Sequence, residues 1–328
     1  MKKTLLGLTT AAILSLTMAV QADPIKLKFS HVVAENTPKG QMAKKFKALV
    51  DERLKGKVEV EIYPNGQLFG DNKVLEALLL GDVQLASPSL SKFKKYTKKL
   101  QVFDLPFLFN DMAAAERFQS SDAGQALLKT VEPKGLIGLG YMHNGMKQVS
   151  ASKPLRVPAD AKGLKFRIMS SDVLSAQFKA VGATPLKKPY SEVFTLLQTK
   201  AIDGQENTWS NIHSKKFYEV QPYITSSDHG LLDYMVVTSA EFWNGLDPEV
   251  RTTLKKSLDE AVAFGNKVAA EKAMSDKQAI IDSKRTTVIE LTKEERQKWV
   301  DAMKPVWGEF EEIVGKDVLA AAIASNKE

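Results

Sequence analysis

Hydrophobic and polar residues follow two alternating rhythms along the chain. A strand-like alternation over residues 25–29 precedes a helix-like repeat over 37–56, and a second alternation follows over 58–62. This order predicts a β-α-β opening with a right-handed crossover. A similar order returns over 164–209, so the sequence predicts an α/β protein built from two similar halves.

The segment 163–171 combines a strand pattern with a helix start. Apolar and polar residues alternate along it, and the two serines at its end open an apolar helical repeat. Arg167 is therefore predicted at the carboxyl end of a strand. Ligands of open α/β sheets bind at that edge, where a guanidinium can hold a carboxylate through two parallel hydrogen bonds. The alternative is an arginine on a solvated strand face, paired with a nearby Asp or Glu.

Three long elements predict how the halves are joined. The strand pattern over 136–150 is long and contains a glycine partway, which is typical of a crossing between domains, and the strand over 231–238 can cross back. Asp247 and Pro248 open a helical repeat that runs without proline to about residue 281. At 1.5 Å per residue, roughly 34 residues make a helix of about 50 Å, long enough to span both halves.

These elements set the predicted domain limits. Domain I comprises residues 23–144 and 232–272, and domain II comprises residues 145–231 and 273–328. The end of the chain is predicted to form a strand and two short helices that contain Trp299 and Trp307 as packing residues. The lysine-rich run over 92–99 is predicted to be a solvated face.

Composition narrows the class of protein. The 328 residues are 44% hydrophobic and 26% charged, which suits two globular domains with a core of good size. Cysteine is absent, which excludes disulfides, thiolate catalysis and Cys-ligated zinc. The basic excess is small and spread along the chain without an arginine-rich strip, so nucleic acid is not expected as a partner.

The first 22 residues have the organisation of a secretory signal peptide. Two lysines precede an apolar run that ends in small residues, and cleavage is predicted after Ala22. The apolar run of about 16 residues is shorter than the roughly 20 that span a bilayer. The sequence therefore predicts an exported, periplasmic protein rather than a membrane-anchored one.

The residues favour binding over catalysis. The sequence contains no HExxH, no GxSxG and no phosphate-cradling glycine loop, and its four histidines lack metal-ligand spacing. We therefore predict no catalytic residue, metal site or cofactor. The predicted strand ends collect donors, cations and an aromatic side chain, a set suited to holding an anion: Lys39, Ser89, Lys147, Arg167, Asn207 and Trp209. His31 and His143 are also predicted at strand ends and are candidates for lining a cleft.

Four segments resemble those of one known family, the extracytoplasmic solute receptors of TRAP transporters. They are HNGMKQ at 143–148, GLKFR at 163–167, YSEV at 190–193 and DGQEN at 203–207. The resemblance covers the chain after the signal peptide, and the segment over 31–40 is most similar to the dicarboxylate-binding branch.

This resemblance implies a fold and a set of site residues. The fold is an α/β two-domain periplasmic-binding-protein clamshell, braced by the long helix, that closes on an organic anion. Arg167 would bind a ligand carboxylate, and Asn207 would hold the same carboxylate. Lys147 occupies a position that is often arginine, so an ammonium stands there in place of a planar guanidinium with two parallel donors. Lys39 would meet a second carboxylate and so select diacids. Further residues are matched to cleft-lining positions: Ser89, Tyr190, Trp209 and Tyr234.

The predicted function is a C4-dicarboxylate receptor that captures succinate, malate or fumarate by hinge closure and delivers it to a TRAP permease. A monocarboxylate or sugar-acid receptor of the same family is an alternative, and Lys39 would then be a surface lysine. Another is a periplasmic enzyme that uses His31 or His143 as a base, although the sequence places no carboxylate or nucleophile beside either. A membrane sensor kinase is a further candidate partner.

Overall fold

The structure is a computed structural model that describes residues 23–327, so the predicted signal peptide lies outside the described residues. The strands are β1 Ile25–Ser30, β2 Val58–Tyr63, β3 Leu85–Ala86, β4 Leu136–Ala151, β5 Lys165–Ile168, β6 Thr184–Lys187, β7 Gly204–Thr208, β8 Tyr223–Ser226, β9 Leu231–Ser239 and β10 Thr287–Glu290. The α-helices are α1 Pro38–Arg53, α2 Val74–Leu79, α3 Met112–Ser120, α4 Asp122–Lys129, α5 Asp172–Ala180, α6 Val193–Gln198, α7 Trp209–Ser214, α8 Ala240–Gly245, α9 Pro248–Asp282, α10 Lys293–Met303, α11 Val306–Val314 and α12 Lys316–Ala324.

One long strand joins two sheets. In the first sheet the order is β2-β1-β3-β9-β4, with β1 parallel to both β2 and β3, and β9 antiparallel to both β3 and β4. In the second sheet β5 lies between β6 and β7 and is parallel to both. β4 lies between β7 and β8 and is antiparallel to both, and β8 also pairs in parallel with β10. The 16-residue β4 changes partners between Met146, opposite Leu231, and Lys147, opposite Thr208. The crossing strand predicted from the sequence is confirmed.

Two glycines, Gly145 and Gly230, lie where the two sheets meet and allow a backbone conformation and a close contact that other residues would not. The register of β4 against β9 shifts between His143 and Gly145, and Gly145 has a φ of 135°, which side chains rarely allow. A Cβ on Gly230 would lie 2.9 Å from Cε of Lys147. Gly145 therefore permits β4 to bend, and Gly230 permits the loop before β9 to approach β4 closely.

The long helix predicted from the sequence is confirmed as α9, which has 35 residues. Asp247 caps it by accepting hydrogen bonds from the backbone N–H groups of Glu249 and Val250. It packs against α1 and β4 and also against α7, which follows β7 of the second sheet. The helix therefore braces both halves.

The end of the chain differs from the prediction, because it forms three helices rather than two. Gly315, with a φ of 101°, ends α11 and precedes α12. Trp307 donates from Nε1 to the carbonyl of Pro106 at 2.8 Å, and Asn326 donates from Nδ2 to that of Leu108 at 2.8 Å. These contacts join the end of the chain to first-half residues, and α11 also packs against α5 of the second half. The domain limits stay a prediction.

The lysine-rich run is only partly a solvated face. Lys95 and two lysines after it are exposed as predicted, whereas Lys92 and Lys94 are half-buried. Nζ of Lys94 lies 2.9 and 2.8 Å from the two carboxylate oxygens of Asp172 at the start of α5. Phe93 within the run is fully buried, so the residues beside it pack against the protein rather than extend into solvent.

Buried hydrophobic residues of the described chain form separate clusters, one of which extends through both halves. The largest cluster includes Phe29 and Phe46 under the first sheet and Phe166 and Phe178 beside the second. Among residues 23–327, none of the helices combines the length and the apolar character needed to cross a membrane.

Candidate functional site

A cavity of ≈ 390 Å³ lies between the two halves, at the carboxyl ends of the strands. The first half contributes to its wall Asp71, Asn72, Ser89 and Lys92, and β9 contributes Tyr234. From the second half come Arg167, Tyr190, Glu206, Asn207, Asn211 and Lys215. The wall also has apolar residues, among them Met169 and Leu232, and cations from both halves face the same space.

Arg167 lies at the carboxyl end of β5, as the sequence predicted, and is only 2% exposed. Its Nε donates to the carbonyl of Lys188 at 3.0 Å, and no acceptor among residues 23–327 meets the terminal nitrogens. Burial lowers the pKa of the guanidinium to about 10, with the nearby Glu206 opposing that shift, so the group stays charged at neutral pH. A buried cation with two unused parallel donors suits a carboxylate ligand.

Asn207 is held by a directed chain of amides. Its Nδ2 donates to Oε1 of Gln205 at 2.9 Å, and its Oδ1 accepts from Nδ2 of Asn211 at 2.8 Å. Gln205 in turn donates to Oγ of Ser150 at 2.9 Å. These hydrogen bonds determine which of the two amide positions of Asn207 is the nitrogen, and they leave one N–H of Nδ2 for a ligand.

Lys92 brings a second cation to the cavity from the first half. Its Nζ donates to Oδ1 of Asn72 at 2.8 Å. Burial lowers the pKa of its ammonium to about 8, against the charge of Asp71, which raises it. Lys92 was not predicted as a site residue, because the whole run has the composition of a solvated face. The apolar Leu90 and Phe93 within the run were the available signal.

Lys39 lies behind the cavity wall. Its Nζ donates to the carbonyl of Ser87 at 2.6 Å and lies 3.3 Å from the centroid of the Tyr234 ring. Burial lowers the pKa of this ammonium to about 8, with Asp71 opposing the shift. The Tyr234 ring, rather than Lys39 itself, forms the wall at this point.

Lys147 is also buried behind the wall, in an ion pair. Its Nζ lies 2.9 Å from Oε2 of Glu206, at an angle outside directed hydrogen-bond geometry. The same oxygen contacts Nε2 of His229 at 2.8 Å and accepts from Nε2 of Gln177 at 3.1 Å. Burial raises the pKa of Glu206, but Lys147 and His229 outweigh burial and bring it to about 2. Glu206 therefore stays ionised.

His31 and Trp209 lie outside this wall. His31 packs edge-on against Phe29, and burial together with the charge of Lys39 lowers the pKa of its imidazole to about 3, so the ring is neutral. Trp209 lines a separate cavity of ≈ 880 Å³ beside α9 together with His143. No group of three or more His, Asp or Glu side chains within residues 23–327 is arranged to hold a metal ion.

The structure thus divides the residues predicted from the sequence. The wall includes Ser89, Tyr190, Arg167, Asn207 and Tyr234, and it does not include His31, Lys39, Lys147 and Trp209. Asp71 has the residue type of a helix cap, but its Oδ2 accepts from the backbone N–H of Ser89 at 3.3 Å, and α2 has no side-chain cap. Further wall residues that sequence reasoning missed are Lys92, Asn211 and Lys215.

A family model and individual relatives of this chain indicate the same family. The model of the family "Bacterial extracellular solute-binding protein, family 7" (DctP) matches residues 29–313. The chain is 66% identical over 317 residues to the C4-dicarboxylate-binding periplasmic protein DctP of Shewanella loihica, covering 97% of this chain and 94% of the relative. It is 50% identical over 327 residues to the DctP protein of Vibrio cholerae, covering 99% and 98%.

Solved structures agree with this result. A TRAP periplasmic solute binding protein from Shewanella oneidensis with bound succinate has a TM-score of 0.92 and 66% identity, covering 93% of this chain and 100% of the other. One from Pseudomonas aeruginosa with bound L-malate has a TM-score of 0.85 and 47% identity, covering 87% and 100%. The chain therefore belongs to the bacterial extracellular solute-binding proteins of family 7, the DctP family of TRAP solute receptors with a two-domain clamshell fold.

Proposed function

We propose that this protein is a periplasmic receptor for C4-dicarboxylates that captures its ligand by closure of the two halves. The observation that carries the proposal is the pair of cations facing one cavity from opposite halves. Arg167 presents two terminal nitrogens from β5, and Lys92 presents an ammonium from the first half. The succinate and L-malate bound to the similar structures agree with this chemistry.

The two carboxylates of the ligand would occupy opposite ends of the cavity. Arg167 and the remaining N–H of Asn207 would hold one carboxylate, and Lys92 with Ser89 would hold the other. Lys39, behind the Tyr234 ring, would add positive potential at the second end without touching the ligand. A four-carbon diacid would then bridge the halves.

Bridging explains closure in thermodynamic terms. A ligand shifts an equilibrium between open and closed forms only by its differential affinity for them, and contacts from both halves exist together only when the cleft is closed. A micromolar dissociation constant corresponds to about −8 kcal/mol, which two charged ends can supply.

Cellular location and partners are part of this proposal. Export by the signal peptide over 1–22 would bring the receptor to the periplasm, where the closed form would be recognised by the membrane subunits of a TRAP permease. The cavity wall offers cations and amides rather than a nucleophile beside a base, which favours a receptor over an enzyme. A membrane sensor kinase remains an alternative partner for the closed form.

Thermal-shift measurements followed by calorimetry test the ligand class. We expect succinate, malate or fumarate to raise the melting temperature of the chain from residue 23 onward, because a ligand at 100 times its dissociation constant stabilises the folded state by about 2.7 kcal/mol. Butyrate is the matched control for succinate, since it has the same number of carbons and one carboxylate. Equal stabilisation by butyrate, or stabilisation by sugar acids alone, would refute the dicarboxylate assignment.

A further inference from the structure

Polar contacts join the two halves beside the ligand cavity. Lys94 lies on the 3₁₀ helix Leu90–Lys95, which follows β3 of the first half, and Asp172 begins α5 of the second half. Nζ of Lys94 lies 2.9 and 2.8 Å from the two carboxylate oxygens of Asp172. Next to this pair, Oγ of Ser170 donates to Oδ1 of Asn72 at 3.3 Å. Because Asn72 belongs to the cavity wall, these contacts border the space that the proposed ligand occupies.

The Asp172 carboxylate is also held from its own half. Nζ of Lys187 on β6 lies 2.9 Å from Oδ1 of Asp172, and β6 pairs with β5 in the second sheet. Hydrogen bonds from Lys94 and from Lys187 lower the pKa of Asp172, so the carboxyl group is ionised at neutral pH. An exposed ion pair loses much of its energy to the ordering of two flexible side chains, and here one of the two is already ordered.

The two ion pairs of Asp172 differ in how they depend on closure of the cleft. Lys187 and Asp172 belong to the same half, so rotation of one half against the other leaves their pair intact. Lys94 belongs to the other half, and opening of the cleft at this edge lengthens its distance to Asp172. Cations of both halves face the cavity and repel one another when no anion lies between them, so an attractive contact beside the cavity favours the closed form.

We propose that Lys94 and Asp172 form a latch between the two halves, which stabilises the closed form and slows release of the ligand without touching it. This inference rests on the proposed function, because it concerns closure over the same cavity. The latch is complete only when the halves meet, so its energy adds to the affinity for the ligand. The ligand enters the open cleft before the latch forms, so the latch acts on the dissociation rate rather than on the association rate.

A double-mutant cycle tests the latch, with succinate affinity measured by calorimetry and rates by stopped-flow tryptophan fluorescence. We expect Lys94→Met and Asp172→Asn each to weaken binding about 3-fold, within the range of exposed ion pairs, through a faster dissociation rate. The double variant should also bind about 3-fold more weakly than the wild type, because both substitutions remove the same contact. Lys187→Met is the matched control: it removes a cation from the same carboxylate within one half, and it should bind like the wild type.

The sign of the Asp172→Asn effect separates a latch from a general effect of charge. Removal of a negative charge beside the cavity would by itself strengthen the binding of a dianion, whereas loss of the latch weakens it. Unchanged or stronger binding in Asp172→Asn, independent effects of the two substitutions, or an equal loss in Lys187→Met would overturn the inference while leaving the proposed function intact. Absence of dicarboxylate binding in the wild type would instead refute the proposed function, and the latch with it.

Discussion

Replacement of Arg167 by lysine isolates the geometry of the proposed carboxylate contact, because the charge is retained. Lysine is a point charge on a flexible chain and cannot offer the two parallel donors of a guanidinium. The substitution also removes the hydrogen bond from Nε to the carbonyl of Lys188, which is 3.0 Å long. Ligand binding and folding stability should both respond, but by different amounts.

The two effects can be estimated separately. Loss of one of two charge-assisted hydrogen bonds costs about 1.5 to 3 kcal/mol, so the dissociation constant for succinate should rise about 10-fold to 150-fold. Loss of the neutral acceptor contact to Lys188 should lower the free energy of unfolding by only about 1 kcal/mol. Binding should therefore fall much more than stability.

Titration calorimetry with succinate and thermal unfolding without ligand would measure the two quantities. Arg156→Lys is the matched control, because Arg156 is a half-exposed arginine of the second half that pairs with Glu295 away from the cavity. We expect it to bind succinate like the wild type. An unchanged affinity in Arg167→Lys would remove Arg167 from the site, and a loss of binding that only mirrors a loss of folding would refute the proposed contact.

Three further predictions follow from the same structure. Lys92→Met should weaken succinate binding about 10-fold while leaving monocarboxylate binding nearly unchanged, and the exposed Lys95→Met should change neither in calorimetry. Because burial lowers the pKa of Lys92 to about 8, its charge is lost as the pH rises, so succinate affinity should fall between about pH 7 and pH 9.5 and fall less in Lys92→Met; a flat wild-type profile would contradict this. Gly265→Ala should lower the free energy of unfolding by about 1 to 2 kcal/mol, because the added Cβ would lie 2.7 Å from Cβ of Met42. Gly308→Ala is the control, since its added Cβ would have no neighbouring atom within 4 Å, and thermal unfolding should show no loss of stability.

Local patterns were sufficient for the elements that depend on short-range chemistry. The cap and proline at Asp247 and Pro248 predicted the start of α9, and the absence of later proline predicted its length. The alternation before Ser170 placed Arg167 at a strand end. These features depend on hydrogen bonds and periodicity within one segment, so the sequence contains the information directly.

Features that depend on distant partners were predicted less well. Asp71 has the residue type of a helix cap, but its carboxylate accepts from Ser89, which follows β3. Lys92 belongs to a run whose composition is typical of a solvated face, yet the buried Phe93 beside it turns it toward the cavity. Composition describes a segment, whereas burial depends on what packs against that segment.

The sequence by itself determined the α/β class, the crossing strand, the bracing helix and the arginine at the strand end, because each follows from periodicity, capping or a local motif. Only the tertiary structure decided which charges face the cavity. Lys39 and Lys147 have the residue type of anion ligands, but Ser87, Tyr234 and Glu206 engage them behind the wall. The physical reason is that a buried charge must be paired, and its partner comes from a strand or loop distant in sequence.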